Sequence, residues 1–314
     1  MAGLPSVTSV VRGSHELLRS CIGFENAVLK IKYEVHKPVL AENTHVQGRL
    51  VITLGGKGGI LASRGHAREF ASRGYLVLTH DRRGNQGSSW GIRDSQRYRD
   101  DSSGSFLAEP LTHALDTCAL VDSLEEFQVE GDKPPHWLGE SSGARMSIYA
   151  AALRPECVRS LVCMNLTAGP KAAEVIAHAY HGENADDVRA GGLDALRDGN
   201  QDSAARMDDP ELVEELESVG AEKFIAWSDA EATFVRTHAV DGYPLVAIRS
   251  GTLARIRAPS LGIHTFGGFD GMHTAEAIRN FASGVSGSEC EFYDPRTVNE
   301  DDVMDRIIRL FEST

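Results

Sequence analysis

Short, mostly apolar runs without polar alternation recur along this chain, and they constrain its fold more than any other feature. They stand at residues 50–54, 75–79, 136–138 and 160–164. Runs of this length suit central strands that are covered on both faces. The segments between them have helical spacing, as at 111–127, where apolar residues recur every three or four positions. Strands that alternate with helices over short connections predict an α/β fold, with a mostly parallel sheet flanked by helices.

The alternation stops between residues 168 and 256, where the sequence is helical in pattern and acidic. One helix start is clear there, because Pro210 and Glu211 together form a favourable first turn. A helical insertion into a sheet domain is typical of a cap or lid. We therefore predict an N-terminal arm at 1–24, either a surface helix or a partner-binding segment, a core formed by 25–167 and 257–314, and a helical cap at 168–256, inserted after strand 6.

Charge and composition exclude several classes of function. The 314 residues carry a net charge of −13, which argues against nucleic acid or an anionic membrane surface as a partner. No apolar run has the length of a membrane span, and the N-terminus lacks the pattern of a secretory signal. The five cysteines are scattered, without the spacing of a zinc site. We expect a cytoplasmic protein with reduced thiols, no cofactor, no metal and a small-molecule substrate, and the sequence leaves a homodimer open.

Gly139, Ser141 and Gly143 have the spacing G-x-S-x-G, between an apolar run and a helical pattern. This spacing is typical of a nucleophile elbow, a sharp strand-to-helix turn that projects a serine hydroxyl clear of both elements. The positions two before and two after the serine must be small, because strand and helix approach closely there. The N–H of Ser142 would then face charge that develops beside Ser141. The alternative is a serine-rich loop bounded by glycines.

Four motifs together, in this order, resemble the α/β-hydrolase fold superfamily over nearly the whole chain from residue 27. They are a loop at 80–89 that is similar to D-x-R-G-x-G-x-S, the elbow, and runs at 153–162 and 258–264 that lead into two further strands. The D-R-R-G loop and the G-E-S-S-G elbow are similar to those of a capped subset that uses a serine nucleophile. The resemblance therefore implies an α/β-hydrolase fold with a helical cap.

The resemblance also implies roles for individual residues. Ser141 would be the nucleophile, and Asp270 would be the acid, since the acid follows the seventh strand in this family. The oxyanion hole would consist of the N–H of Ser142 and one from the glycine-rich loop, around Gly56 or Lys57. Independently of the resemblance, His80 ends a predicted strand, where ligands bind in open α/β sheets, and is a candidate for substrate binding.

The catalytic histidine is the point at which this chain departs from the family. The family places it after the eighth strand, but no histidine follows His273. Three explanations stay open at this point. His273 itself could serve as the base, or a histidine from elsewhere could, such as His80, His178 or His181, or the chemistry needs no Ser-His pair. We interpret five further histidines as surface or edge residues: His15, His36, His45, His66 and His136.

The resemblance implies a hydrolase that cleaves an ester, thioester, lactone or activated C–C bond of a small, partly apolar substrate through an acyl-enzyme. The absence of the usual histidine keeps two alternatives open. One is a lyase or cyclase that uses the same pocket without covalent catalysis. The other is a ligand-binding protein that has lost its activity, because a serine without a base is a weak nucleophile.

Overall fold

The sheet and the helices around it account for most of the described chain. The computed structural model describes residues 9–18, 28–38, 46–55, 59–83, 88, 109–128, 133–199, 201–240, 242–265 and 271–314. Within these ranges no helix combines the length and the apolar character that crossing a bilayer would need.

Eight strands form one sheet in the order β1-β2-β4-β3-β5-β6-β7-β8. They are β1 (Ser9–Leu18), β2 (Val28–Lys37), β3 (Gly48–Thr53), β4 (Tyr75–His80), β5 (His136–Glu140), β6 (Leu161–Met164), β7 (Ser260–His264) and β8 (Glu289–Phe292). The pairs β1–β2 and β2–β4 are antiparallel, and every pair from β4 to β8 is parallel. The expectation of a mostly parallel sheet flanked by helices is confirmed.

The helices connect the strands in chain order. They are α1 (Gly59–Ser72), α2 (Glu109–Ser123), α3 (Ser142–Leu153), α4 (Gly169–Ala177), α5 (Glu183–Gly191), α6 (Gln201–Met207), α7 (Pro210–Val219), α8 (Ala221–Thr237), α9 (Ser250–Leu253), α10 (Ala275–Gly284) and α11 (Glu300–Ser313). A π-helical turn, His178–Gly182, joins α4 to α5. The helix start predicted at Pro210 is the start of α7, and the side chain of Asp209 caps it by accepting from the N–H of Glu211.

The core has two layers, one on each face of the sheet. Alternate residues of the central strands point to opposite faces, so Val51 packs towards α2, α3 and α10 while its neighbour Leu50 packs towards α1 and α11. Both side chains are fully buried. The central strands are apolar without alternation because helices cover both faces of the sheet, as the sequence predicts.

The N-terminal segment differs from the prediction. Residues Ser9–Leu18 form β1, which pairs antiparallel with β2 along its whole length, so the surface helix considered for this segment is not observed there. The physical reason is the edge of the sheet: β2 pairs with β4 on one side only, and a strand with an unpaired edge gains backbone hydrogen bonds from a further strand.

The helices between β6 and β7 form two small apolar clusters of their own. Alanines of α4 pack on α8 around Ile176 and Val235, and a second cluster around Leu216 and Phe224 joins α7 to α8. This helical insertion contacts the rest of the chain just after β6, where the Thr167 carbonyl accepts the Val246 N–H, and at β2, where Lys32 Nζ lies 3.5 Å from Asp209 Oδ2. The domain boundaries of the sequence analysis stay a prediction.

Candidate active site

The backbone of Ser141 is strained in the way that a nucleophile elbow requires. Ser141 lies between β5 and α3 with φ 54° and ψ −119°, a conformation that a residue with a side chain rarely adopts. The strand next to it holds it there, because the Ser141 N–H donates to the carbonyl of Met164 at 2.9 Å. The turn therefore directs the Ser141 hydroxyl away from both β5 and α3.

Glycine is required on both sides of the serine. A Cβ at Gly139 would lie 2.5 Å from the Cα of Ala144, and one at Gly143 would overlap the carbonyl oxygen of Thr53 on β3. The Thr53 hydroxyl donates to the Gly143 carbonyl at 2.9 Å, which fixes α3 against β3. The close approach of helix and strand inferred from the G-x-S-x-G spacing is thus observed.

His273 is the histidine that the structure brings to Ser141. Its Nε2 lies 2.8 Å from the Ser141 Oγ, within hydrogen-bond reach. The residue belongs to the connection between β7 and α10, and its backbone forms a bridge with Thr167, just after β6. The imidazole is buried, which shields the Ser-His pair from bulk water. Asp270, the predicted acid, lies outside the described residues.

The other candidate histidines have different neighbours. The Nε2 of His80 lies 3.0 Å from the hydroxyl of Thr117 on α2, and burial lowers the pKa of His80 to about 4. His181 is buried and meets the ring of Trp227 edge-on. His178 is exposed on the π-helical turn. The roles considered for His80, His178 and His181 from the sequence stay predictions.

One predicted oxyanion donor is described. Ser142 is the first residue of α3, where backbone N–H groups have no partner within the helix and the helix dipole is positive. Gly55 opens the glycine-rich loop, and a Cβ there would lie 2.5 Å from the Ser141 Cβ. The loop therefore begins directly beside Ser141. Gly56 and Lys57, the predicted second donors, lie outside the described residues.

A polar network joins the strand ends on the β7 side of Ser141. Asn165, buried with a positive φ of 49°, donates from Nδ2 to Glu140 Oε1 at 2.8 Å and accepts the Thr265 N–H at 2.9 Å. The ends of β5, β6 and β7 are thereby locked together. No motif or spacing indicates this network, because its three residues are far apart in the chain.

A buried cation stands on the other side of Ser141. The Nη1 of Arg82 donates to the Ser142 Oγ at 3.0 Å, and the guanidinium lies over the ring of Tyr180 at 5.0 Å from its centroid. The Tyr180 hydroxyl is 3.3 Å from the same Ser142 Oγ. The D-R-R-G motif at the end of β4 includes Arg82, so the sequence pointed to this residue. No motif includes Tyr180, because its contact with Arg82 depends on how the helical insertion packs.

The rest of the D-R-R-G motif supports the site structurally. Asp81 accepts the N–H of Ile60 at 2.8 Å and so fixes the start of α1, just after the glycine-rich loop. Arg83 forms a buried, two-pronged pair with Asp116 of α2 at 2.6 and 2.9 Å. Ser88 donates to the Asp81 carbonyl at 2.9 Å. In the part of the chain that the structure describes, no three His, Cys, Asp or Glu side chains come together to hold a metal ion.

Comparisons with known proteins agree with this architecture. A family model described as the alpha/beta hydrolase fold matches residues 49–228. None of the curated protein sequences is significantly similar to the chain. Among solved structures, an enol-lactonase from Burkholderia xenovorans is similar, with 15% identity, a TM-score of 0.53, and coverage of 91% of this chain and 97% of that one.

Two further solved structures have the same kind of similarity. A hydrolase from Pseudomonas aeruginosa has 20% identity and a TM-score of 0.51, with 96% of each chain covered. An alpha/beta hydrolase from Sphaerobacter thermophilus has 17% identity and a TM-score of 0.52, with 90% of this chain and 97% of that chain covered. At these identities the similarity shows a shared fold.

Proposed function

Because the chain belongs to the alpha/beta hydrolase fold family, we propose that it is a serine hydrolase in which Ser141 is the nucleophile and His273 the general base. One observation carries this proposal: Nε2 of His273 lies 2.8 Å from the hydroxyl of Ser141 at a strained elbow. A serine hydroxyl needs such a partner, because it must lose its proton as it attacks. In this proposal His273, from the connection between β7 and α10, takes the role of the histidine that the family has after β8 and that this chain lacks.

The proposed reaction proceeds through an acyl-enzyme. The Ser141 Oγ attacks the carbonyl carbon, and its proton passes to the His273 Nε2. The N–H of Ser142 and one from the glycine-rich loop, at Gly56 or Lys57, stabilise the oxyanion. The imidazolium then protonates the leaving group, and water, activated by the same imidazole, releases the acid. Asp270 is the proposed acid that orients His273.

The proposed substrate is an ester, thioester or lactone, or a compound with an activated C–C bond, that is small and partly apolar. Two half-buried methionines adjoin the pair along the backbone and support an apolar component: the Met164 carbonyl accepts the Ser141 N–H, and Met272 precedes His273. Met272 also packs against the α4–α8 cluster, so the helical insertion approaches the loop that carries the proposed base. We propose that the insertion acts as the cap of this site.

The Ser141→Ala variant tests the proposal, with hydrolysis of 4-nitrophenyl butyrate as the assay. Loss of the nucleophile is expected to lower kcat at least about 10³-fold while the circular dichroism spectrum and thermal unfolding stay as in the wild type. Ser218→Ala, an exposed serine on α7, is the matched control and should keep the wild-type rate. Undiminished turnover by Ser141→Ala would instead favour the non-covalent lyase or cyclase. A wild type that neither hydrolyses this ester nor reacts with a fluorophosphonate at Ser141 would favour a ligand-binding protein.

A further inference from the structure

Asn165 contacts the strands on both sides of β6. Its backbone N–H donates to the Ile263 carbonyl of β7 at 2.8 Å. Its side chain donates to Glu140 Oε1 at 2.8 Å and accepts the Thr265 N–H at 2.9 Å. Glu140 directly precedes the proposed nucleophile, and Thr265 is the first residue after β7. A single side chain therefore joins the elbow to the start of the connection that carries His273.

The partners of this side chain require an amide at position 165. The Thr265 N–H can only donate and the Glu140 carboxylate can only accept, so the group between them needs both an acceptor and a donor. An asparagine side chain offers both, and asparagine also tolerates the positive φ of 49° that Asn165 adopts. Asn165 is 1% exposed, so these hydrogen bonds are shielded from water. Neither aspartate nor glycine would provide the same set of bonds.

His273 is attached to the chain just after β6 at a second point. Its backbone forms an antiparallel bridge with Thr167, two residues after Asn165. The Ser141 N–H donates to the carbonyl of Met164, which directly precedes Asn165. The nucleophile and the proposed base are thus both attached to one short segment, and Asn165 lies between the two attachments. A shift of this segment would change the distance of 2.8 Å between the Ser141 Oγ and the His273 Nε2.

We propose that Asn165 is a positioning residue, which holds the connection that carries His273 at the distance from Ser141 at which the hydroxyl proton can be transferred. The inference rests on the proposed function and adds to it a residue that acts through its neighbours. Catalysis depends steeply on this distance, since a displacement of about 1 Å can lower a rate by about 10²-fold. Loss of the Asn165 amide should therefore slow the reaction of Ser141 only when His273 is present.

A double-mutant cycle between Asn165 and His273 tests this proposal. The measured quantity is the rate at which a fluorophosphonate labels Ser141, under conditions where urea titration shows each variant to be folded. Asn165→Gly, which tolerates the positive φ, should slow labelling by about 10- to 100-fold in the wild-type background and by less than about twofold when His273→Gln is also present. Asn299→Gly, which removes the exposed side-chain cap of α11, is the control and should be labelled at the wild-type rate.

The cycle separates positioning of the base from a general structural role. If Asn165→Gly slowed labelling by the same factor with and without His273, the amide would act on the elbow and not on the base, and the proposal would be overturned. A wild-type labelling rate for Asn165→Gly would overturn it as well. Either result leaves the proposed function intact, whereas a wild type that is not labelled at Ser141 would contradict the proposed function and the inference with it.

An exchange of amide and carboxylate tests the proposal even if Asn165→Gly does not fold. Asn165→Asp places a carboxylate against Glu140 and should slow labelling, because the two carboxylates repel each other. When Glu140→Gln is added, the glutamine amide can donate to the aspartate, which still accepts the Thr265 N–H, so most of the wild-type rate should return. A folded double variant that is labelled about tenfold or more slowly than the wild type would overturn the proposal.

Discussion

Ser141 is the only described residue that combines a positive φ with a histidine nitrogen at hydrogen-bond distance from its hydroxyl. Asn165 and Ala247 also have positive φ, and Asn165 serves the network that joins the strand ends. The strain at Ser141 persists because neighbours fix it from both sides, through the Met164 carbonyl and the contact of α3 with β3. The reactive geometry is therefore a property of the surrounding packing as much as of the serine.

The packing at the elbow predicts a sharp difference between two glycine-to-alanine variants. Gly143→Ala places a methyl group against the Thr53 carbonyl on a central strand, so we expect a loss of at least about 3 kcal/mol in the free energy of unfolding. Gly65→Ala, on the exposed side of α1, meets nothing within 4 Å and should leave stability unchanged or raise it by up to about 1 kcal/mol. Urea unfolding measures both, and equal stabilities would contradict the close approach.

At this scale the sequence predicted some residues and not others. The spacing of the two glycines around Ser141 has a steric cause, so the elbow could be inferred before any coordinates. The sequence left open which histidine, if any, is the base. Tertiary structure determines where a loop residue such as His273 lies, so its distance from Ser141 could not be predicted. Arg82 and Tyr180 could not be paired, since they meet only when the π-helical turn docks on the end of β4.

The loop that follows β4 depends on α2 for its position. Arg83 and Asp116 form an ion pair whose side chains are 7% and 3% exposed, and the adjacent Arg82 shares the same turn. His80 also contacts α2, through Thr117. The end of β4 is thus attached to α2 at two points, which fixes the direction in which Arg82 leaves the strand.

Replacement of Asp116, which pairs with the buried Arg83, should therefore lower the free energy of unfolding far more than replacement of an acid in an exposed ion pair. Asp116→Ala leaves a buried guanidinium without its carboxylate, and we expect the free energy of unfolding to fall by about 3–5 kcal/mol. Asp305→Ala breaks the exposed pair with Arg73 and should cost about 1 kcal/mol or less. Similar losses in the two variants, measured by chemical denaturation, would show that the Arg83–Asp116 pair does not brace the loop.

Helices and strands were predicted best where the apolar residues follow one clear pattern, either an unbroken run or helical spacing. The central strands and α2 follow from apolar runs and from helical spacing, and the structure confirms them. The strand β1 was missed because residues 1–24 have no clean period, and its formation depends on the edge that β2 offers. Strand pairing of this kind is a property of two segments, so neither segment reveals it alone.

At the scale of the whole molecule, the parallel strands bring the site together at one edge of the sheet. Gly55, Ser141 and Asn165 follow β3, β5 and β6, and His273 comes from the connection after β7. Residues that are more than two hundred positions apart in the chain therefore meet where α/β sheets bind their ligands. The fold explains how a histidine from the β7–α10 connection reaches the proposed nucleophile.

Buried histidines should make the molecule sensitive to acid. Burial lowers the pKa of His80 to about 4, and burial together with the charges of Arg159 and Lys133 lowers the pKa of His136 to about 3. His36 is likewise buried, beside Glu34 and the arginine that pairs with it. The prediction that His36 and His136 are surface or edge residues was therefore wrong. The burial of His36 also lowers its pKa.

The sign of the pH dependence follows from these depressed pKa values. The unfolded chain binds protons on these histidines near pH 6.5, whereas the folded protein does not until the pH is much lower, so stability is complete above about pH 6.5 and falls as the pH is lowered. Between pH 7 and pH 4, His80 and His136 should each remove about 3 kcal/mol from the free energy of unfolding. Urea titrations at successive pH values measure this loss.

Two histidine variants show which residues cause the loss of stability at low pH. His136→Gln should make the fall in stability shallower by about 1.4 kcal/mol per pH unit, the value for one proton. His66→Gln, at an exposed position of α1, should retain the full dependence. A stability that stays constant from pH 7 to pH 4 in the wild type would contradict the neutral, buried state of these imidazoles.

Covalent labelling of Ser141 by a fluorophosphonate tests the proposed Ser-His pair most directly, because the reagent reacts with a serine only when a base has activated it. Intact mass and peptide mapping should find one adduct per chain, on Ser141, and His273→Gln should slow its formation by about 10²- to 10⁴-fold. A wild type that stays unlabelled at Ser141, or a His273→Gln variant that is labelled at the wild-type rate, would contradict the account.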